Sequence, residues 1–203
     1  MKITLVALAP ALAPALVLLA QPAISHAAST ESPAMPAASA VIRSINEAPP
    51  EVAEAQPKAQ LLGQGSLRFF GLLVYDARLW ASPGFKPEAY DSQAFALQLD
   101  YARKLDGGSI AERSIAEMRR VGEFSEEQAQ TWLAEMRRAF PDVVAKDRLI
   151  GVYDGRGEVR FFHNGRLSAQ INGRSFARLF FGIWLDPKTS APALRKSLIG
   201  LAE

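Results

Sequence analysis

The sequence predicts an α+β fold: an antiparallel sheet with helices packed on one face. Two observations lead there. Period-two alternation of apolar residues, the mark of a half-buried strand, runs through residues 59–105 and returns at 147–171, while helical spacing fills 109–140 and 172–199. Elements therefore come as strands, two helices, strands, two helices, and segregated blocks of this kind pack as helices against an antiparallel sheet.

In chain order, residues 1–28 read MKITLVALAPALAPALVLLAQPAISHAA: one Lys2, an apolar stretch, then the small-x-small triplet Ser25-His26-Ala27. This is the layout of a secretory signal peptide, and Pro10 and Pro14 argue against a membrane-spanning helix. Its removal leaves no integral membrane segment and implies a periplasmic or secreted protein. Residues 29–58 are rich in Ala, Pro, Ser and Glu and predict a disordered linker. The folded domain is expected at 59–203.

Within it, AQLLGQGSLRFF predicts a short strand bent at Gly63 and Gly65, and Gly71 marks a hairpin or bulge before the strand in LLVYDARLWASPGF. Alternation places Leu73, Tyr75, Ala77 and Leu79 on the core side, with Val74, Asp76, Arg78 and Trp80 opposite, where Asp76 and Arg78 are expected to pair. Residues 94–105 form the next strand. Ser109 and Glu112 read as a capping box opening a helix to about Arg120. Ser125 and Gln128 read as a second, opening a helix that carries Ala129, Trp132, Leu133, Met136 and Phe140 until Pro141 ends it. Residues 147–171 form a three-stranded meander with turns at Asp154-Gly155-Arg156-Gly157 and Asn164-Gly165. Asn172 or Ser175 opens a helix through Phe176, Leu179, Phe180 and Ile183, and Pro192 starts a last short one closed by Gly200.

Composition removes several chemistries. The 23 basic and 21 acidic residues give a net charge of +2, or +1 once Lys2 leaves, with no long basic run, so nucleic-acid binding is not expected. There is no cysteine, and His163 is the one histidine after the signal segment, beside a turn; a metal centre, a disulfide and thiol catalysis lack their parts. No G-x-S-x-G elbow, P-loop or dinucleotide fingerprint occurs in the right setting, and no cofactor is expected. Three polar groups remain. Tyr75 stands alone on an apolar strand face, as a core tyrosine or as a ligand contact. Arg68, in GSLRFF, faces either water or a cleft. Arg113 either pairs with Glu117 along its helix or clamps an anion in an apolar cleft.

The segments GQGSLRFFGLLVYDARLW, LDYARKLDGGSIAERSIAEMRR and FFGIWLDPKTSAPALRKSLIG resemble the chalcone isomerase-like proteins, particularly their secreted bacterial branch. The resemblance implies an open-faced β-sandwich with a cleft between sheet and helices. Plant members close a chalcone to a flavanone; other members bind fatty acids without known turnover. Where the plant enzymes carry a Thr, this chain has Tyr75. Their substrate-steadying arginine falls in the segment GQGSLR, where Arg68 is the candidate. Their tyrosine ahead of the first helix is replaced by Asp106-Gly107-Gly108, their helix Asn by Arg113, and a C-terminal pocket Thr by Ile183. With most of that polar set gone, the resemblance implies a non-enzymatic binder of a small apolar acid, held by Arg113 pointing into the cleft in want of an anion, with Tyr75 beneath. The alternatives are an intramolecular lyase using an arginine charge clamp and a module that docks on a protein partner.

Overall fold

The computed structural model describes residues 47–201, so the expected signal segment and residues 29–46 of the expected linker lie outside them. Six strands form one sheet in chain order with every neighbouring pair antiparallel. They are β1 (Gln60–Phe69), β2 (Leu72–Ala81), β3 (Phe95–Tyr101), β4 (Arg148–Tyr153), β5 (Glu158–His163) and β6 (Arg166–Asn172). The helices are α1 (Pro50–Ala55), α2 (Gly107–Val121), α3 (Glu126–Ala139), α4 (Arg174–Leu185) and α5 (Pro192–Leu198), with a 3₁₀ turn at Pro87–Ser92.

The α+β architecture is as expected, and from Tyr75 onward β2 divides its faces as its alternation requires; at its start Val74, expected opposite, packs against the large core in place of Leu73, where the β1–β2 register shifts between Leu67 and Arg68. Tyr75, Ala77 and Leu79 join the large core under α2–α5 with Leu97, Leu99, Met118, Met136, Phe161 and Phe180. On the other face Trp80, Ala96, Ile150 and Val152 make a smaller cluster closed by Val52 of α1. The folded part thus begins earlier than the expected boundary at residue 59. Helix α1 forms inside the Pro/Ala-rich stretch because Val52 is fully buried against the sheet; Arg148 reaches Glu51 at 2.9 Å, and Gln56 Nε2 donates to the Tyr153 carbonyl at 3.1 Å. On that outer face the expected Asp76–Arg78 pair is not made. Arg78 bonds Asp100 of the neighbouring strand, and Asp76 accepts from Ser66 Oγ at 2.5 Å. Asp76 and Asp100 stand opposite each other in register, so each carboxylate takes a different partner and the like-charge juxtaposition is relieved.

Local expectations differ in three further places. Gly63 and Gly65 do not bend a short strand; β1 continues through them with a register shift between Leu61 and Gly63. A Cβ on Gly63 would stand 2.2 Å from the Ser197 carbonyl oxygen, so these glycines let α5 cross the strand. The cap of α2 is Asp106, not Ser109: its carboxylate accepts from the Ser109 amide at 2.7 Å, and these bonds hold it below the usual carboxylate range. The box at Ser125 and Gln128 forms as expected. Helix α4 opens from Gly173, at φ +135°, between the two residues expected to start it.

Candidate functional site

Between the sheet and helices α2 and α4 lies a cavity of about 570 Å³, within the range of small-molecule sites. Its sheet wall is Leu97, Leu99, Leu149 and Gly151, and its helix wall is Ile110, Phe180, Phe181, Ile183 and Trp184. Gly151 makes room for the Phe181 ring over the sheet, since a Cβ there would lie 3.2 Å from it. An apolar chamber this size holds a hydrocarbon body; the polar atoms of its wall decide what else it holds.

All three residues singled out from sequence line this cavity, in unequal roles. Tyr75 is buried, and its hydroxyl accepts a hydrogen bond from Trp184 Nε1 at 2.9 Å, leaving its own proton to donate. Burial pushes the phenol up to about 12, against a smaller lowering by the Trp184 bond, so the group is a neutral donor at physiological pH. Arg68 is exposed at the mouth, and its Nη1 donates to the Gly71 carbonyl at 3.2 Å, bracing the β1–β2 turn. Arg113 sits on the rim with 69% of its side chain exposed and bonds Glu117 at 2.5 Å. Glu117 is the buried partner, at 9% side-chain exposure, with Arg120 3.7 Å away on its other side. The expectation that Arg113 lacks an anion is therefore corrected: one turn along its own helix supplies it.

Two wall residues escaped the sequence reading. Tyr101 pairs with Tyr75 across β2 and β3, the rings 5.8 Å apart edge to face, and burial raises its phenol too. Its hydroxyl makes no hydrogen bond to another described residue. Arg103, two positions on and half-buried, makes neither an ion pair nor a side-chain hydrogen bond among the described residues. Apart from exposed Ser190, these are the wall's two unengaged polar side chains. The sequence did hold a signal for them: Tyr101 and Arg103 share the parity of Leu97 and Leu99, which places them on the core side of β3 and its extension.

A family model described as chalcone isomerase-like matches residues 48–200. The chain belongs to the chalcone isomerase-like family. It is also 27% identical over 143 residues to an uncharacterized protein of Haemophilus influenzae, covering 70% of this chain and 68% of that one. Among solved structures it resembles a fatty-acid binding protein of Arabidopsis thaliana with a TM-score of 0.54 and 12% identity, over 70% of this chain and 87% of the other. That likeness shows the fold. Within this chalcone isomerase-like chain, the first residue of α2, Gly107, has no room for a side chain: a Cβ there would meet the Phe140 carbonyl oxygen at 2.2 Å. Glycine there lets the start of α2 pack against the end of α3.

Proposed function

We propose that this protein binds a small apolar carboxylic acid of fatty-acid type, without converting it, outside the cytoplasm. The observation that carries the reading is the pairing of an apolar chamber with two unengaged polar side chains at one side of it, the Tyr101 hydroxyl and the Arg103 guanidinium. A carboxylate between them would take a charge-assisted bond from Arg103 and a neutral one from Tyr101, with the Tyr75 proton as a further donor. Arg68 and Arg113, each already bonded, add positive field at the rim. The hydrocarbon fills the chamber against Leu99, Phe180 and Phe181. The resemblance to a protein named for fatty-acid binding supports the ligand class, and the signal-like residues 1–28 support the location.

Turnover is the weaker reading, because both tyrosines are held protonated and neither serves as a base near neutral pH. The test is native mass spectrometry of the protein purified from a bacterial periplasm. A bound apolar acid that is lost in both Arg103→Met and Tyr101→Phe supports the reading. An empty cavity that also refuses added fatty acids, or retention of the acid by both variants, overturns it.

A further inference from the structure

The β1–β2 turn is apolar where a turn is ordinarily polar. Phe70 is 90% exposed, Phe69 61% and Leu72 56%, and Phe70 holds φ +47° beside Gly71 at +79°. Both central residues of a turn of this kind need positive φ, which Asn or Gly accepts readily and a bulky aromatic does not. A strained phenylalanine held in water is costly twice over, and packing does not explain it: Phe70 is 90% exposed, its ring edge to face with Phe69 at a centroid distance of 4.5 Å.

The turn does not stand alone. Strand register puts the start of β2, the end of β3, the start of β4 and the β5–β6 turn at one end of the sheet. That end also carries exposed Val144 and Leu167. Among the described residues, the non-glycine positive-φ positions are Phe70, Lys146 and Asn164, and all three fall here. Of the cations at this end, Arg148 is paired with Glu51, while Arg68, Arg103, Lys104, Lys146 and Arg166 form no ion pair among the described residues. Its acids are exposed or half-buried but hydrogen-bonded: Asp106 caps α2, Asp142 accepts from the Gly107 amide, and Asp147 accepts from the Val144 amide and Asn164. The face is therefore apolar tips among five unpaired cations, which outnumber these three carboxylates. The cavity reaches this end as well, for Arg68, Phe69 and Arg103 line it.

We infer that this end of the sheet docks on an anionic phospholipid surface, with the Phe69–Leu72 turn entering the interface and the basic side chains meeting the headgroups. Apolar side chains among cations match the layering of such a surface, acyl boundary below and phosphate above. The cavity would then load from, or discharge to, the bilayer at its mouth. Only that last purpose rests on the fatty-acid reading; docking itself is read without any ligand in the cavity, so the two ideas fail separately.

The full chain is mixed with phosphatidylcholine vesicles, with and without phosphatidylglycerol, and bound protein is separated by flotation. The N-terminal segment is common to every variant, so the differences between variants report on the sheet end. Binding should require phosphatidylglycerol and fall by about tenfold in Phe70→Ser/Leu72→Ser. Lys104→Gln and Lys146→Gln should each weaken it about fivefold, and added salt should release the protein. Phe70→Trp should shift its emission to the blue on vesicles. Equal binding by wild type and all these variants, or an unshifted Phe70→Trp spectrum, overturns the inference. So does a photoreactive phenylalanine at position 70 that captures a specific protein in cells while the chain ignores vesicles, which would assign the surface to a protein partner.

Discussion

Replacing Arg113 with methionine separates the two roles open to that residue. If its guanidinium is the counterion of Glu117, the substitution strands a carboxylate of 9% side-chain exposure with only Arg120, 3.7 Å away, beside it. Exposed pairs contribute about 0–1 kcal/mol, and breaking a fully buried one costs about 3–5. With Arg113 itself 69% exposed, the expected loss is about 1–2 kcal/mol in urea unfolding at neutral pH. Glu117→Gln removes the charge that needs a partner, so Arg113→Met on that background should cost about 1 kcal/mol less than on the wild type. Affinity for a fluorescent fatty acid should fall less than about threefold in Arg113→Met, because Arg103 remains, and should rise in Glu117→Gln as a negative charge leaves the cavity wall. Unchanged stability together with abolished binding in Arg113→Met would refute the reasoning and make Arg113 the clamp.

The remaining expectations follow from burial. Ile183→Trp should fill the chamber and abolish fatty-acid binding at a stability cost of about 1–3 kcal/mol, read by ligand displacement and urea unfolding in parallel. Val52→Ala should cost about 1–2 kcal/mol in the same unfolding assay, showing that α1 is part of the fold, since Val52 is fully buried against Trp80 and its neighbours. Alkaline unfolding tests the phenols. Tyr75 is raised from 10.0 to about 12 and Tyr101 is raised as well, so the unfolded chain ionises first and the folded chain keeps the protons. The stability they contribute is complete below pH 10 and is lost as pH rises toward 12, by about 1.4 kcal/mol for Tyr75 at pH 11, with Tyr101 adding in the same direction. Tyrosinate absorbance should accordingly appear together with loss of helical circular dichroism; ionisation well before unfolding would show that the phenols are reached by water.

What the sequence disclosed was set by how local its cause was. The β2 alternation from Tyr75 onward, the Ser125 box and the Asn164-Gly165 turn each depend on a few neighbouring residues, and each is found where expected. Gly63 looked like a bend because its real constraint, the α5 backbone, comes from the far end of the chain. Helix α1 was hidden in a linker-like composition because Val52 is held by strands that follow it. Ser109 resembled a cap through its spacing to Glu112, while Asp106, with the same spacing to Ser109, does the capping. At the site, the residue types and the Arg113–Glu117 alternative were legible. Which partner was buried was not, and neither was the unengaged state of Tyr101 and Arg103, since both depend on what the folded chain leaves unpaired.

The cavity persists because contact between α2 and α4 is concentrated at one end of α2. Interiors fill to near-crystalline density when nothing prevents it, and this one is rich in deformable aromatic contacts. At the C-terminal end of α2 the helices meet at Gly182, where a Cβ would stand 2.6 Å from Val121 Cγ1 and 2.7 Å from the Tyr90 hydroxyl. That hydroxyl also donates to the Arg178 carbonyl at 2.8 Å, tying the 3₁₀ turn to α4. The first three turns of α2, carrying Ile110, Arg113, Ser114 and Glu117, line the cavity instead. Their own end is fixed by Gly107 against the Phe140 carbonyl, so α2 is pinned at both ends and held off the sheet between them. Gly182→Ala and Gly107→Ala would each force a pinned end outward. A loss of stability without closure of the cavity in either variant is what this geometry requires, because the void is set by where the helix is held and not by how well its middle packs.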